Sequence, residues 1–171
     1  DRLRYAIFER DSEKLIFIQA DFSLERWGDA SAFNGISGIL GQGLAYRKVI
    51  KALKKLTARL QKDFSCESVV WLCHFPPEVE DDKICPRNME LLCGNRLSKA
   101  ASESKVAYIL AGHVHHHINY SPINGVEVIC TASATDPVGT PSFNEFSFSV
   151  SSGKIADVSW LVRTYEHGAF V

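Results

Sequence analysis

Two short apolar runs near the start of the chain predict a β-hairpin. They cover residues 5–8 and 15–20, and the residues between them, 9–14, are all charged or polar. Runs rich in β-branched and aromatic residues on either side of a polar turn are typical of paired strands. Asp21 follows the second run. We interpret it as a turn or capping residue, with a weaker alternative in which it faces a substrate site at the strand end.

The clearest helical pattern covers residues 44–64. Val49, Leu53, Leu56 and Leu60 recur at steps of three and four, which places them on one apolar stripe. The other face carries a run of cations: Arg47, Lys48, Lys51, Lys54, Lys55, Arg59 and Lys62. We interpret this basic face as solvated rather than as a nucleic-acid surface, because the net charge of the chain is −1.

Two later apolar runs, residues 68–73 and 106–111, predict strands buried on both faces. A helical pattern precedes each of them, at 44–64 and at 88–104. The Asn124-Gly125 turn signal and the alternating runs that follow it predict closing hairpins. Residues 22–43 hold five glycines without a phosphate-binding fingerprint, and we expect a surface loop there. The order predicts one α/β domain with a mixed sheet over residues 1–171.

Composition narrows the class of protein. The chain is 46% hydrophobic and 23% charged, as is usual for a globular domain. No apolar run reaches the ~18–20 residues that a membrane helix needs, and the charge balance argues against nucleic acid as a partner. The five cysteines form no Cys-x-x-Cys pair, so we expect reduced thiols and a cytoplasmic protein, with Cys66 and Cys85 the first to test for disulfides.

Histidines follow both predicted buried strands. His74 comes directly after the first strand, and His113 follows Gly112 after the second. Parallel neighbours would bring them to one edge of the sheet, where open α/β sheets place their sites. An extended segment would put His115 on the same side as His113, and we expect Gly112 to allow a close approach or a positive φ.

Three neutral imidazoles at His74, His113 and His115 predict a metal site, because zinc, iron and manganese accept such ligands. A divalent ion there would make hydroxide available for hydrolysis. The alternative is a polar turn beside a hydrogen-bonded rim histidine. We expect His116 and His117 to be exposed, with His116 a weaker substrate-binding candidate.

The segments VVWLCHFPP (69–77) and LAGHVHH (110–116) resemble the two C-terminal signatures of calcineurin-like metallophosphoesterases. The resemblance implies an α-β-β-α sandwich of mixed sheets around two divalent ions, Mn, Fe or Zn. His74 and His113 would bind one ion and His115 the other. The implied reaction is hydrolysis of a phosphoester. The compact loops resemble the branch that acts on cyclic nucleotides or other small phosphodiesters.

The family's N-terminal signatures, Asp-x-His, Gly-Asp and Gly-Asn-His, have no counterpart in this sequence. Gly28-Asp29 lies in the wrong region, and Gly94-Asn95 precedes Arg96 inside a predicted helix. We therefore interpret the chain as the C-terminal part of a metallophosphoesterase domain, lacking its N-terminal strands and active only with the missing ligands. Open sheet edges then predict a homo-oligomer or pairing with the missing segment. The alternatives are a non-catalytic interaction module with a weak metal site and a mononuclear zinc hydrolase.

Overall fold

The computed structural model describes residues 2–23, 42–81, 83–85, 91–135 and 140–171. Its elements follow one another along the chain as β1 (Leu3–Arg10), β2 (Glu13–Ala20), β3 (Gly43–Leu44), α1 (Arg47–Asp63), β4 (Val69–Cys73), β5 (Leu91–Leu92), α2 (Asn95–Glu103), β6 (Tyr108–Ala111), β7 (Ile118–Ile123), β8 (Val126–Cys130), β9 (Ser142–Ser151), β10 (Lys154–Glu166) and β11 (Ala169–Phe170). Most of the predicted loop, residues 24–41, lies outside the described residues.

A six-stranded mixed sheet forms the centre of the fold, in the order β1-β2-β4-β6-β8-β7. Strands β2, β4, β6 and β8 run parallel, and β1 and β7 pair antiparallel at the two edges. The predicted hairpin of β1 and β2 is confirmed, as are the hairpin at Gly125 and the parallel neighbours β4 and β6. The predicted mixed α/β fold is therefore confirmed.

Helix α1 forms as its apolar stripe predicts. Val49, Leu53, Thr57 and Leu60 are buried, and Leu53 joins the core with Ile16 and Ile18 of β2. The cationic side chains occupy the opposite, solvent-facing part of the helix. Because α1 leads into β4 through a short connection, its first turn lies toward the edge of the sheet at which β4 ends.

Both helices begin later than the hydrophobic pattern predicts. Leu44 belongs to β3 instead of α1, and Leu91 and Leu92 form β5 instead of the first turn of α2. The two strands pair in parallel with each other. Cys93 then takes a φ of 58°, outside the helical region, before α2 starts at Asn95. Strand pairing between distant segments here outweighs the local helical pattern. Hydrophobic periodicity does not reveal such pairing.

A second, antiparallel sheet of β9, β10 and β11 packs on the central sheet. Its contact with β2 includes the rings of Phe17 and Phe148, whose centroids are 5.6 Å apart. Because side chains alternate along a strand, Phe17 lies on the face opposite to Ile16 and Ile18. Several large apolar side chains remain exposed on β1, β10, β11 and the last residue: Tyr5, Phe8, Trp160, Leu161, Val162, Tyr165, Phe170 and Val171.

All five cysteines lie in the described part of the chain, and none of them, Cys66 and Cys85 included, is in a disulfide. Cys93 is exposed, Cys73 is half-buried and the other three are buried. Among the described residues, the helices are too short or too polar to cross a membrane.

Candidate functional site

Four parallel strands end in register at one edge of the central sheet. Ala20 pairs with Cys73, Cys73 with Ala111, and Ala111 with Cys130. The residues that follow the first two of these strand ends, Asp21 and His74, therefore emerge side by side. Gly112 and the histidine-rich loop follow the third strand end. The edge is the one at which the sequence predicts a site.

His74 and His113 lie in direct contact at this edge. The distance between Nε2 of His74 and Nδ1 of His113 is 3.0 Å, and the ring centroids are 4.8 Å apart. The buried ring of Phe75 packs against both, with centroid distances of 4.8 Å to His74 and 4.5 Å to His113. Phe75 is a residue that sequence reasoning missed, although its place directly after His74 was a usable signal.

The chain approaches Phe75 closely at Gly43. A Cβ atom on Gly43 would lie 2.5 Å from Cδ2 of Phe75. On its other side, the turn after His74 is fastened to β7, because the Tyr120 hydroxyl donates a hydrogen bond to the carbonyl of Pro77. Burial raises the pKa of the Tyr120 phenol, which keeps it a donor. The two histidines are thus supported by a packed turn.

The histidine-rich loop is not extended, so the expected alternation of His113 and His115 is wrong. Both residues have a left-handed backbone, with φ of 67° and 55°. Val114 between them is buried, and its N–H donates to the carbonyl of Gly112 at 2.8 Å.

The expected role of Gly112 is wrong too. Its φ lies outside the positive range, and an added Cβ would meet only ordinary contacts at 3.9 Å or more.

Burial, more than the neighbouring charges, sets the pKa of His74. Partial burial of the ring lowers the pKa of His74, the neighbouring His115 lowers it further, and Asp21 opposes both effects. Partial burial alone would raise the pKa of Asp21. Hydrogen bonds from Ser23 and the charges of Arg2 and His74 outweigh it and hold that pKa below its usual value. At neutral pH the edge therefore carries an ionised carboxylate next to a neutral imidazole, the form that binds metals.

The other histidines of the loop diverge. His115, His116 and His117 are all exposed, as expected for the last two, and Nε2 of His117 lies 2.9 Å from the Ser142 hydroxyl. His115 is close enough to His74 to affect its charge. Even so, within the part of the chain that the structure describes, no three His, Cys, Asp or Glu side chains are grouped so that they could hold an ion.

The His74–His113 pair nonetheless fits two adjacent ligands of one metal ion. Imidazole nitrogens that bind one ion at about 2.0–2.1 Å lie about 3.3–3.4 Å apart in tetrahedral geometry and about 2.8–3.0 Å apart in octahedral geometry. The separation of 3.0 Å between Nε2 of His74 and Nδ1 of His113 is that of a hydrogen bond between the two rings, as the alternative of a hydrogen-bonded rim histidine expects, and it also lies close to the octahedral value. A complete site needs further ligands beyond this pair.

Asp21 lies both in a turn and at the site. Its Oδ1 accepts a hydrogen bond of 2.8 Å from the N–H of Ser23, as the turn interpretation expects. The residue also lines a cleft of about 310 Å³ with Arg2, Arg4 and His74. Sequence reasoning missed both arginines. The predicted β1–β2 hairpin was the available signal for them, because β1 runs antiparallel to β2 and the first residues of β1 therefore lie beside the end of β2.

No protein-family model and no curated protein sequence matches the chain. Among solved structures, a candidate 5′-nucleotidase from Staphylococcus aureus, in complex with alpha-ketoglutarate, is similar at a TM-score of 0.53 and 12% identity over 92% of this chain. GAP50, the anchor in the inner membrane complex of Plasmodium, has a TM-score of 0.49 and 15% identity over 95%. The chain spans 29% and 45% of the lengths of these two proteins. The first similarity supports the fold alone.

Proposed function

We propose that the chain is part of a metal-dependent phosphoester hydrolase that acts on a small phosphodiester. The observation that carries the proposal is the 3.0 Å approach of His74 and His113 at the end of two parallel strands. The resemblance of their flanking segments to metallophosphoesterase signatures supports it. So does the fold shared with a structure described as a candidate 5′-nucleotidase.

In this proposal His74 and His113 are ligands of one divalent ion, and His115 is a ligand of a second. The ions, of Mn, Fe or Zn, would supply a water-derived nucleophile and neutralise phosphoryl charge. The chain's own residues hold the first pair in place. The buried ring of Phe75 packs against both rings, and His113 has a left-handed backbone.

The proposed activity needs ligands beyond those that the described residues bring together. No group of three metal-binding side chains forms among them, and the sequence lacks the family's N-terminal signatures. That observation favours a second candidate function, an interaction module that keeps the histidine pair as a weak metal site. Hydrolysis measurements separate the two candidates.

The test uses the natural full-length product that contains these residues. Hydrolysis of bis(p-nitrophenyl) phosphate with added Mn²⁺ is compared between wild type and His113→Asn. Asn tolerates the left-handed backbone of His113 but lacks the imidazole. His167→Asn is the matched control, because His167 is exposed, has a φ of 49° and lies in the turn before β11.

We expect His113→Asn to lower kcat/KM by at least about 10- to 100-fold, because loss of a residue that only supports a ligand already costs that much. His167→Asn is expected to change it by less than about twofold. Metal-dependent hydrolysis that is equal in both variants would contradict the proposal. A full-length protein that binds metal through His113 without hydrolysing the ester would favour the interaction module.

A further inference from the structure

A cleft of about 310 Å³ opens directly beside His74 at the edge of the central sheet. Its polar walls come from four neighbouring segments, the residues around the start of β1, the end of β2, the residues after β2 and the residue after β4: Arg2, Arg4, Gln19, Asp21, Ser23 and His74. The volume lies at the lower end of the range for small-molecule sites, about 300–1,000 Å³. The cleft is therefore sized for a small anion or one end of a small ligand.

The Arg2 guanidinium is fixed in this cleft. Its Nη1 donates a hydrogen bond of 2.9 Å to the carbonyl of Ser23, and its Cζ lies 4.7 Å from the centre of the Tyr46 ring. The backbone carbonyl of Arg2 also accepts a bond of 2.8 Å from the N–H of Asp21. A long side chain held on two sides loses little further freedom when it binds a ligand.

Arg4 adds a second guanidinium on the same wall of the cleft. Residues two apart on a strand face the same side, and Arg2 and Arg4 both line the cleft. Asp21 is the one carboxylate among the lining residues, so the charge of the two arginines exceeds it. Guanidinium groups bind the oxygens of phosphate through parallel N–H bonds, which a lysine does not reproduce. The lining thus matches a phosphoryl group better than a neutral or cationic one.

We propose that Arg2 and Arg4 bind the phosphoryl oxygens of the substrate in the cleft beside His74. The statement that the bound phosphoryl group belongs to a substrate rests on the proposed function. The statement that the cleft binds phosphate does not. Asp21 acts as a positioning residue in this arrangement. Its backbone N–H donates to the backbone carbonyl of Arg2, and its carboxylate accepts from the N–H of Ser23, whose carbonyl accepts from the Arg2 guanidinium. The proposed role of Arg2 predicts that phosphate binding depends on the planar fork of its guanidinium as well as on its charge.

Inorganic phosphate is the probe, and the full natural chain without added metal is titrated with it by calorimetry and by NMR shifts of labelled arginine side chains. Arg2→Lys keeps the charge and removes the fork, and Arg4→Gln removes an exposed charge with little risk to folding. Arg10→Gln is the matched control, because Arg10 lies at the other end of β1 with its side chain 94% exposed.

We expect phosphate to shift the Arg2 and Arg4 signals, and each cleft variant to weaken binding by about tenfold, the loss of one charge-assisted hydrogen bond. Arg10→Gln is expected to leave the affinity within about twofold of wild type. Equal phosphate affinity in wild type, Arg2→Lys and Arg4→Gln would overturn the proposal. Binding that responds equally to Arg10→Gln would overturn it too, since it would report only surface charge.

Hydrolysis assays separate this proposal from the proposed function. If Arg2→Lys and Arg4→Gln raise KM while metal affinity stays unchanged, the arginines bind substrate at a working metal site. If His113 proves irrelevant to hydrolysis but phosphate binding still requires Arg2, the cleft stands as an anion site and the hydrolase fails. If hydrolysis depends on His113 while both arginine variants keep the wild-type KM, the cleft proposal alone is wrong.

Discussion

Thr57→Val is expected to leave a buried indole N–H without its acceptor. Nε1 of Trp71 donates a hydrogen bond of 3.0 Å to the Thr57 hydroxyl, which in turn donates to the carbonyl of Leu53 at 2.9 Å. Trp71 is 1% exposed and Thr57 0%. The bond joins α1 to β4, the strand that carries His74 at its end. Valine fills almost the same space as threonine, so the substitution isolates the polar contact.

The magnitude follows from the burial of the donor. Leaving a buried donor unsatisfied costs about 1–3 kcal/mol, so the free energy of unfolding should fall by that amount. For a chain of this size, each 1 kcal/mol lowers Tm by about 2–4 °C. Thr57→Ser keeps the hydroxyl and is the control; its loss is one methyl group, about 1 kcal/mol.

The assay is urea unfolding followed by far-UV circular dichroism, for wild type, Thr57→Val, Trp71→Phe and the double variant. Trp71→Phe removes the donor itself and costs about 0.5–3 kcal/mol for the space that it leaves. In the double variant no buried donor is left unsatisfied at this position. The losses of unfolding free energy measured for Thr57→Val and Trp71→Phe, added together, should therefore exceed the loss in the double variant by about 1 kcal/mol or more.

Costs of Thr57→Val and Trp71→Phe that add within about 0.3–0.5 kcal/mol would refute the reasoning, because independent sites behave in that way. A cost of Thr57→Val well below about 1 kcal/mol would refute it as well. The comparison requires equal denaturant slopes in all variants, since a changed slope means that the denatured or native state has changed.

Three further predictions follow from other contacts. Gly43→Ala should lower the free energy of unfolding by about 1–3 kcal/mol, because its Cβ would lie 2.5 Å from the buried ring of Phe75. Gly112→Ala should be tolerated. Thermal unfolding of both variants checks this, and equal losses of stability would contradict it. Iodoacetamide should label the exposed Cys93 first, since burial raises the pKa of Cys130 to about 12; mass spectrometry of timed reactions decides, and early labelling of Cys130 would contradict the burial. Glu13→Gln should weaken the hydrogen bonds of 2.8 and 3.0 Å that its carboxylate accepts from the N–H groups of Ser152 and Gly153 in the β9–β10 turn. The free energy of unfolding should fall by about 1–2 kcal/mol. Hydrogen exchange at those two amides should accelerate, and unchanged exchange would show that the contact is not stabilising.

The central sheet was predictable because two of its inner strands are continuous apolar runs in the sequence. Continuous apolar runs at Val69–Cys73 and before Gly112, each preceded by a helical pattern, leave few arrangements other than parallel neighbours. Once the neighbours are parallel, their ends meet at one edge. The common edge of His74 and His113 follows from that geometry, whereas the contact between their rings also involves the left-handed backbone at His113 and the ring of Phe75.

Pairing between distant residues explains what the sequence did not predict. The helical pattern at residues 88–104 was real over α2, but Leu91 and Leu92 gained ladder bonds to β3. The left-handed backbone at His113 and His115 is a local choice that hydrophobic periodicity does not encode. The placement of Arg2 beside Asp21 depends on the register of the β1–β2 hairpin, and turn geometry rather than side-chain pattern sets such a register.

The central claim is that His74 and His113 hold one divalent ion, and a cobalt(II) titration of the full natural chain tests it most directly. Cobalt is the probe because its visible spectrum distinguishes imidazole ligands from the exposed thiol of Cys93. His74→Asn and His113→Asn should each weaken imidazole-bound cobalt by about tenfold or more, while His167→Asn leaves it unchanged. Cobalt affinity and spectra that are identical in all three variants and wild type would contradict the account.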